Sequence, residues 1–309
     1  MKKIFISGLV NVETTVRIRQ FPVPYYPIDY PFFGVNTAVS GVAYNIAKAL
    51  STLSDQVGLH SMVGTDFQAA YIKEELAASG IATDGLRLNL KETPSSVILY
   101  DGEGKRQVYC DLKDIQETAY GFDADMCRDF DLVVACNINF NRELLQQAKT
   151  AGKTIATDVH VLRQIDDEYN RDFMSYADIL FLSDEGIGED YSGFLRELAR
   201  TYDNQIIVLG RGSKGAAMYL KEEGHIFEMG AVRVGDVVNT VGAGDALFSG
   251  FIHYYAKGLP ALEALARSEL FASAKIGASG GAKGFVGADR IEELYGQFGQ
   301  DLLGTVKIL

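Results

Sequence analysis

The stretch Asn239-Thr240-Val241-Gly242-Ala243-Gly244-Asp245-Ala246 joins a glycine-rich turn to an apolar run that reaches Phe251. Residues with little or no side chain let backbone amides approach a ligand closely. At the start of a helix such amides lack partners, and the helix dipole favours a negative charge there. The pattern therefore predicts an anion-binding turn. Asp245 is either a stabilising charge at the helix start or a base standing beside that anion site.

Outward from this stretch, short β-rich runs alternate with amphipathic patterns along most of the chain. The strand-like runs are Ile4–Leu9, Val57–Val63, Leu132–Ala135, Thr154–Asp158, Ile179–Leu182 and Ile206–Leu209. The helical patterns are Ala43–Leu53, Ala69–Ser79, Arg142–Ala151, Gly193–Tyr202, Ala246–Ala256 and Leu262–Ala278. This alternation predicts a doubly wound α/β fold, in which helices cover both faces of a mostly parallel sheet.

Two segments interrupt the alternation. Residues 12–36 hold four of the six prolines and many aromatic residues, and residues 96–112 have the pattern of a β-hairpin with its turn at 101–104. We expect the two insertions to pair into one small β-sheet, a lid beside the main domain. The predicted main domain is then 1–11, 37–95 and 113–309, with the lid at 12–36 and 96–112. The lid aromatics either pack this sheet or form a ligand or partner surface.

Composition excludes several classes of protein. The formal charge of −12 argues against binding to nucleic acid or to an anionic membrane. The three cysteines have no CxxC spacing and the four histidines are scattered, so reduced thiols are expected and a zinc site is not. The chain lacks both a signal-peptide pattern and an apolar run of about 20 residues, which predicts a cytoplasmic protein.

Two other glycine motifs do not carry their usual functions. Gly210–Gly215 satisfies GxGxxG, but Ala216–Leu220 after it has the pattern of a second strand, whereas a dinucleotide fingerprint opens a helix. This excludes a nicotinamide dehydrogenase. Gly152-Lys153-Thr154 resembles the end of a P-loop, but Gln147 occupies the position of the required first glycine. We interpret Gly152 as a helix stop.

The segment from Thr240 to Phe251 resembles the C-terminal signature of the ribokinase-like (PfkB) family of carbohydrate and nucleoside kinases. Further segments similar to the family's are Ser40–Ala47 on the substrate side, Val63–Asp66 with Leu76–Ile81, the turn Gly212–Ala216 on the ATP side, and Ala272–Ala282 on the adenine side. The resemblance thus covers nearly the whole chain. It implies the same fold that the strand and helix pattern predicts.

The resemblance also implies roles for individual residues in ATP-dependent phosphorylation of a hydroxyl group. Asp245 would be the general base, and the amides of Gly242, Ala243 and Gly244 would hold the transferred phosphoryl group. ATP would be accompanied by Mg²⁺ and would meet Ser183, Gly212, Ser213, Gly215, Gly242, Gly244 and Ser273. The substrate residues would be Asn11, Glu13, Gly41, Asn45 and Asp245. Asn137 and Asp158 are further candidates because each ends a strand at the ligand-binding edge of the sheet.

Four departures from the family pattern stand out. Glu13 replaces an Asp, and Ser40 replaces the first of two glycines. Asn239 replaces an Asp tied to a monovalent cation, which argues against activation by potassium. Ser183-Asp184-Glu185-Gly186 stands where the family has an Asn-x-x-Glu motif for Mg²⁺ and phosphate. Asp184 and Glu185 are therefore candidate metal ligands through water, and weaker metal handling is the alternative.

Several functions remain open at this point. A sugar is the expected substrate, and an aromatic lid that stacks on a base would suit a nucleoside. The aromatic residues concerned are Tyr25, Tyr26, Tyr30, Phe32 and Phe33. A sugar phosphate would need basic lid residues, and Arg17, Arg19, Lys105 and Arg106 lie in those segments. A sugar or nucleotide sensor without turnover is the non-enzymatic alternative. Open lid edges predict a homodimer.

Overall fold

The computed structural model describes residues 1–103, 105–123, 125–278 and 280–309. The strands are β1 Lys3–Ser7, β2 Asn11–Arg17, β3 Val35–Ser40, β4 Gln56–Val63, β5 Leu86–Leu88, β6 Ser95–Tyr100, β7 Arg106–Asp111, β8 Leu132–Ala135, β9 Thr154–Val161, β10 Ile179–Ser183, β11 Ile206–Gly210, β12 Ala216–Leu220, β13 His225–Met229 and β14 Lys307–Ile308. The helices are α1 Val42–Thr52, α2 Phe67–Ala78, α3 Asn141–Thr150, α4 Arg171–Tyr176, α5 Tyr191–Thr201, α6 Ala243–Ala256, α7 Ala261–Lys275 and α8 Ala288–Gly304, with a 3₁₀ turn at Gly212–Lys214.

Ten strands form the main sheet in the order β14-β13-β12-β11-β10-β9-β8-β1-β4-β5. The seven strands from β11 to β5 are parallel to their neighbours, and β12, β13 and β14 extend the sheet antiparallel at one edge. The chain adds strands on one side of β1 and later returns to add strands on the other side. A topological switch point therefore lies at β1, where open α/β sheets bind their ligands.

Helices cover both faces of this sheet, as the strand and helix alternation predicted. Ile4 and Ile6 of β1 point into the core beneath α1, α2, α6, α7 and α8, whereas Phe5 points into the core beneath α3, α4 and α5. All three side chains are fully buried. A strand buried on both faces needs a continuous apolar run, and this is the pattern that β1 has in the sequence.

The two proline-rich and hairpin insertions pair into one separate sheet, which confirms the prediction of a small β lid. Its order is β3-β2-β6-β7, with β2 antiparallel to β3, β2 parallel to β6, and β6 antiparallel to β7. Tyr25, Phe32 and Phe33 have 88%, 85% and 101% of their surface exposed, so these aromatics do not pack the lid sheet. A ligand or partner surface is the interpretation that remains for them.

Some boundaries differ from the predictions in an informative way. The predicted helix Ala246–Ala256 begins three residues earlier at Ala243, and Leu262–Ala278 ends at Lys275. The turn predicted at 101–104 and the loop at the end of Ala272–Ala282 include Gly104 and Ser279, which lie outside the described residues. Within the described ranges, no helix combines the length and apolar character needed to cross a membrane.

Candidate active site

The candidate site lies at the carboxyl edge of the main sheet, where β1 leads into the lid strand β2. Gly41 makes the return from the lid possible because its φ is 102° and an added Cβ would lie 2.5 Å from the Leu9 carbonyl oxygen. The Ala43 amide donates to the same Leu9 oxygen at 3.1 Å. The fold itself thus requires a glycine at position 41, a predicted substrate residue, because only glycine fits the turn that starts α1.

The glycine turn before α6 is the predicted anion site, and its backbone geometry can be compared with that prediction. Gly242 is the N-cap of α6, with φ 79°, and an added Cβ would lie 2.4 Å from the Gly281 carbonyl oxygen. The Ala243 amide donates to the Thr240 carbonyl at 3.1 Å, so that amide is already engaged. A Cβ on Gly244 would meet nothing within 4 Å, so this residue faces open space. Gly242 and Gly244 are therefore better placed than Ala243 to offer amides to an anion.

Asp245 lies in the first turn of α6 and is held by a residue 200 positions earlier. Its Oδ2 accepts a hydrogen bond from Asn45 Nδ2 at 2.8 Å. Burial raises the pKa of Asp245, and the negative charge of Asp158 adds to that rise. The positive charges of His160 and Lys275 and the hydrogen bond from Asn45 oppose it. The net pKa is above the usual value, so the carboxylate is more basic than an exposed aspartate while remaining oriented by Asn45.

A second acid, Asp158, acts on Asp245 together with a histidine that sequence reasoning missed. The prediction that Asp158 ends its strand is wrong, because β9 continues to Val161. The His160 amide donates to Asp158 Oδ1 at 2.8 Å, and His160 Nδ1 lies 3.5 Å from Asp158 Oδ2. Burial lowers the pKa of His160, but the Asp158 and Asp245 carboxylates raise it by more than that, so the net pKa is about 9. His160 has a left-handed φ of 59°. An imidazolium therefore accompanies the two carboxylates at neutral pH.

The predicted substrate residues Asn11, Glu13 and Asn45 come together at the foot of the lid. Glu13 Oε2 accepts from Ser40 Oγ at 3.1 Å, and Asn11 Nδ2 donates to Ser96 Oγ at 3.0 Å. The Oδ1 atoms of Asn11 and Asn45 are buried and have no hydrogen-bond partner within the described residues. A buried acceptor without a donor is costly, which makes these two oxygens candidates for contact with a ligand.

Glu13 is electrostatically part of the same group as Asp245. Burial raises the pKa of Glu13, the Ser40 bond lowers it, Asp245 raises it and Lys275 lowers it. Gly281 closes the far side of the group, because an added Cβ there would lie 3.0 Å from Asn45 Nδ2 and 3.3 Å from Ser40 Oγ. The lid strand, α1, α6 and the loop after α7 thus meet around one small polar space.

Asn137, in contrast, makes its hydrogen bonds within another group. Its Nδ2 donates to Asn170 Oδ1 at 3.1 Å, and its backbone oxygen accepts from the Tyr169 hydroxyl at 3.0 Å. The residue follows β8 and reaches the carboxyl edge as predicted. Its role toward the substrate stays a prediction.

The predicted nucleotide residues follow the next strands along the same edge. Ser183 pairs with Gly210 in the register of β10 and β11, and its Oγ accepts from the Glu185 amide at 3.3 Å. Gly215 has φ 87°, and an added Cβ would lie 2.1 Å from the Met229 carbonyl oxygen. The GxGxxG turn joins two antiparallel strands, as predicted, so the structure agrees that it is not a dinucleotide fingerprint.

Gly212, Ser213 and Ser273, the other predicted nucleotide residues, lie in different structural surroundings. A Cβ on Gly212 would meet nothing within 4 Å, so the 3₁₀ turn that contains Gly212 and Ser213 borders open space. Ser273 in α7 accepts from the Val234 amide at 3.0 Å through its Oγ. This bond ties the segment that leads to the glycine turn onto α7, so Ser273 has a clear structural role.

The acidic residues at this edge suit Mg²⁺ only in a limited role. Among the residues that the structure describes, no three His, Cys, Asp or Glu side chains converge on one point as a metal cage. Mg²⁺ that travels with a nucleotide takes phosphate and water oxygens as most of its ligands and needs only one or two carboxylates. Asp184 and Glu185 follow β10 beside the 3₁₀ turn, since the Asp184 amide donates to the Gly210 carbonyl at 3.0 Å. These two carboxylates fit that limited role.

Lys275 is the second residue that sequence reasoning missed. It is the last residue of α7 and is fully buried. Its Nζ donates to the Gly280 carbonyl at 2.8 Å and to the Val241 carbonyl. Burial lowers the pKa of Lys275 to about 8, whereas Asp245 and Glu13 raise it. No helical or strand periodicity marks such a lysine, because its acceptors are backbone atoms.

A buried carboxylate beside a glycine-rich helix start, between a parallel sheet and a β lid, is the arrangement that the sequence resemblance led us to expect. Residues 27–286 match the model of the pfkB family carbohydrate kinases. The chain therefore belongs to this family and is an ATP-dependent phosphotransferase, as the sequence resemblance implied.

Relatives and solved structures agree with this assignment. The chain is 25% identical to the ATP-dependent ribose-1-phosphate kinase of Halopiger xanaduensis over 82% of this chain and 84% of the relative. It is 23% identical to a nucleoside kinase of Methanocaldococcus jannaschii, over 84% and 85% of the two chains. A microbiome-derived acarbose kinase has the same fold, with a TM-score of 0.84 and 23% identity over 96% of this chain and 99% of that protein.

Proposed function

We propose that this protein transfers the γ-phosphoryl group of ATP to a hydroxyl group of a sugar or sugar-like molecule, with Asp245 as the general base. The observation that carries the proposal is the placement of Asp245. Its carboxylate is oriented by Asn45 at 2.8 Å, its pKa is raised, and it sits in the first turn of α6, directly after the glycine turn. A helix-start charge alone would not need the Asn45 bond.

The proton of the acceptor hydroxyl goes to Asp245. A carboxylate with a raised pKa accepts that proton more readily than an exposed one, and general base catalysis contributes about 10²–10⁴ in rate. ATP supplies the phosphoryl group, and Mg²⁺ neutralises part of its charge. The amides of Gly242 and Gly244 hold the transferring oxygens at the positive end of α6, where each donor is worth roughly 10²–10³ in rate. Positioning of the two reactants provides much of the remainder.

The polar side chains at the foot of the lid suit a polyhydroxylated substrate. Asn11 and Asn45 present buried acceptor oxygens that have no partner among the described residues, and Glu13 presents a carboxylate. Acceptors of this kind match hydroxyl donors, and a site built to bind hydroxyls rejects analogues that lack them. We assign Asn11, Glu13 and Asn45 to the substrate, and Gly212, Ser213, Gly215 and Ser183 to the nucleotide.

Two observations keep a nucleoside or a sugar phosphate as second candidates. Tyr25, Phe32 and Phe33 of the lid segment are exposed and available to stack on a base, and a relative is named a nucleoside kinase. Another relative is named a ribose-1-phosphate kinase, but Arg19 pairs with Asp29 at 2.7 Å and Lys105 pairs with Glu103 at 3.0 Å. Two of the four basic lid residues are thus already neutralised, which favours an uncharged substrate. A homodimer through the open lid edges stays a prediction.

The test is substrate-dependent ADP production by the wild type and by Asp245→Asn, with Mg²⁺-ATP and a panel of sugars, sugar phosphates and nucleosides. We expect turnover with at least one class, and a fall in kcat of at least about 10²-fold in the variant because the base is lost. Asp190→Asn is the matched control. Asp190 also starts a helix and accepts from the Gly193 amide at 2.9 Å, so its loss removes a helix-start charge without touching the pocket.

Equal loss of kcat in Asp190→Asn and Asp245→Asn would show that Asp245 acts only as a helix-start charge. Binding of ATP or a sugar without turnover of any panel member would show that the protein is a sensor and not a kinase. The panel also separates the substrate classes, because the site's acceptors predict the highest kcat/KM for an uncharged polyol.

A further inference from the structure

Lys275 differs from an ordinary buried lysine because its partners are carbonyls. Its Nζ donates to the backbone oxygens of Val241 and Gly280, and among the described residues it forms no ion pair at contact distance. A buried charge without a counter-ion at contact distance is unfavourable and needs a reason. Burial pulls the pKa of Lys275 down to about 8, so keeping this ammonium in place costs the fold free energy.

The two carbonyls belong to the two loops that enclose the anion site. Val241 directly precedes the N-cap Gly242, and Gly280 directly precedes Gly281, whose carbonyl oxygen an added Cβ on Gly242 would meet at 2.4 Å. The ammonium thus connects the loops at the point where they touch. The ammonium is a compact positive charge with three N–H donors, and two carbonyl oxygens accept from it.

Backbone carbonyls gathered around one positive charge are also the ligands that proteins use for monovalent metal cations. An ammonium and a potassium ion can therefore act in the same way, since either one draws carbonyl dipoles together and places a positive charge behind the glycine turn. Asp245 and Glu13 are the acidic groups whose charges act on Lys275. The charge of Lys275 thus acts on both Asp245 and Glu13, and it lies next to the loop that carries Gly242.

We propose that Lys275 is a positioning residue whose ammonium serves as a built-in monovalent cation, fixing the glycine turn of the anion site so that phosphoryl transfer needs no free alkali ion. The expected effects on kcat rest on the proposed kinase function. The fixed turn holds the Gly242 and Gly244 amides toward the developing charge before ATP arrives, which is where preorganised donors contribute most.

The first measurement compares wild type with Lys275→Met and Lys275→Ala. We expect kcat to fall at least about 30-fold in both, with less than a threefold change in the KM of the acceptor substrate. The matched control is Lys153→Met. Lys153 Nζ also donates to two backbone carbonyls, those of Arg128 and Phe130, the latter at 2.8 Å, but these lie away from the pocket. The control is expected to keep kcat within twofold.

The second measurement is rescue, which a purely structural lysine would not show. Potassium, ammonium or ethylammonium chloride at about 100 mM should restore kcat of Lys275→Ala at least tenfold, whereas tetramethylammonium chloride, which is bulky and has no N–H donor, should not. The same salts should raise the melting temperature of ligand-free Lys275→Ala relative to tetramethylammonium, and leave wild type and Lys153→Met unchanged. This readout needs no catalysis, so it tests the cation role even if the proposed activity is wrong.

The third measurement uses the unaltered protein and so does not depend on the variants folding. The kcat of wild type in potassium, sodium and choline chloride at equal ionic strength should agree within twofold. A tenfold requirement for potassium would overturn the proposal, because the site would then need a free ion. Retention of kcat in Lys275→Met, or loss in Lys275→Ala without rescue or a shift in melting temperature, would overturn it too.

Discussion

Gly242→Ala is the substitution that probes the anion turn most directly. Gly242 has φ 79°, and the new Cβ would lie 2.4 Å from the Gly281 carbonyl oxygen and 3.1 Å from the Gly281 Cα. Both neighbours are backbone atoms, so no side chain can rotate away to make room. Either the turn or the loop at Gly281 must move, and the amides of Gly242 and Gly244 lose their orientation with it.

The magnitude has two parts. A left-handed φ costs a residue with a Cβ about 1–2 kcal/mol. Gly80→Ala measures that part alone, since Gly80 has φ 68° and an added Cβ there would meet nothing within 4 Å. Gly242→Ala should cost more than Gly80→Ala, because the contact at 2.4 Å adds a steric cost of about 1–3 kcal/mol. In rate, loss of one preorganised donor predicts a fall in kcat of about 10²–10³.

The assay is chemical denaturation of both variants together with kcat at saturating ATP and acceptor. Gly80→Ala should lose stability and keep kcat, whereas Gly242→Ala should lose both. If Gly242→Ala keeps kcat within threefold of wild type, the turn does not hold the transferring group and the reasoning about the anion site is wrong. If both variants lose kcat equally, general destabilisation explains the result instead.

Two further predictions concern charged groups. Glu269 in α7 is nearly buried, and burial raises its pKa from 4.5 to about 8. The folded state therefore keeps its proton while the unfolded state releases it above pH 4.5, so this group destabilises the fold increasingly from pH 4.5 to about 8. Glu269→Gln should raise the free energy of unfolding at pH 8 by on the order of 4 kcal/mol and by little at pH 4, measured by urea denaturation; equal gains at both pH values would contradict this. His160→Asn removes a positive charge that lowers the pKa of Asp245, so the acid limb of the kcat profile should move to higher pH, whereas His225→Asn, on β13, should leave it in place.

Most of the fold could be predicted because local sequence patterns determine where its strands and helices form. Continuous apolar runs such as that of β1, and glycines that end helices, predict strands and helices without knowledge of the partners. The lid was predictable because two insertions with strand patterns broke the alternation. The start of α6 was placed three residues late, because Gly242 takes the N-cap with a positive φ and Gly244 after it is a poor helix former.

The site was predictable only where local sequence carries its chemistry. The glycine turn and Asp245 are adjacent in the chain, so their proposed cooperation could be predicted from the sequence alone. Asn45 followed from a resemblance, although its bond to Asp245 spans 200 residues. Lys275 was missed because its partners are backbone carbonyls, one of them 34 residues away. His160 was missed because it pairs with Asp158 inside β9, where the left-handed φ of His160 departs from regular strand geometry. The engagement of the Ala243 amide by Thr240 likewise depends on the three-dimensional turn.

The position of Glu13 on the lid has a consequence for the use of ATP. Glu13 belongs to the lid strand β2 and Asp245 to the main domain, and the charge of Asp245 raises the pKa of Glu13. Like charges that approach without a donor between them repel. An acceptor hydroxyl can donate to one of them and relieve that repulsion, whereas an empty pocket cannot. Under the proposed function, we expect the lid strand to be most stable over the site when a substrate is present, which would keep the phosphoryl group of ATP from being transferred to water when the substrate is absent.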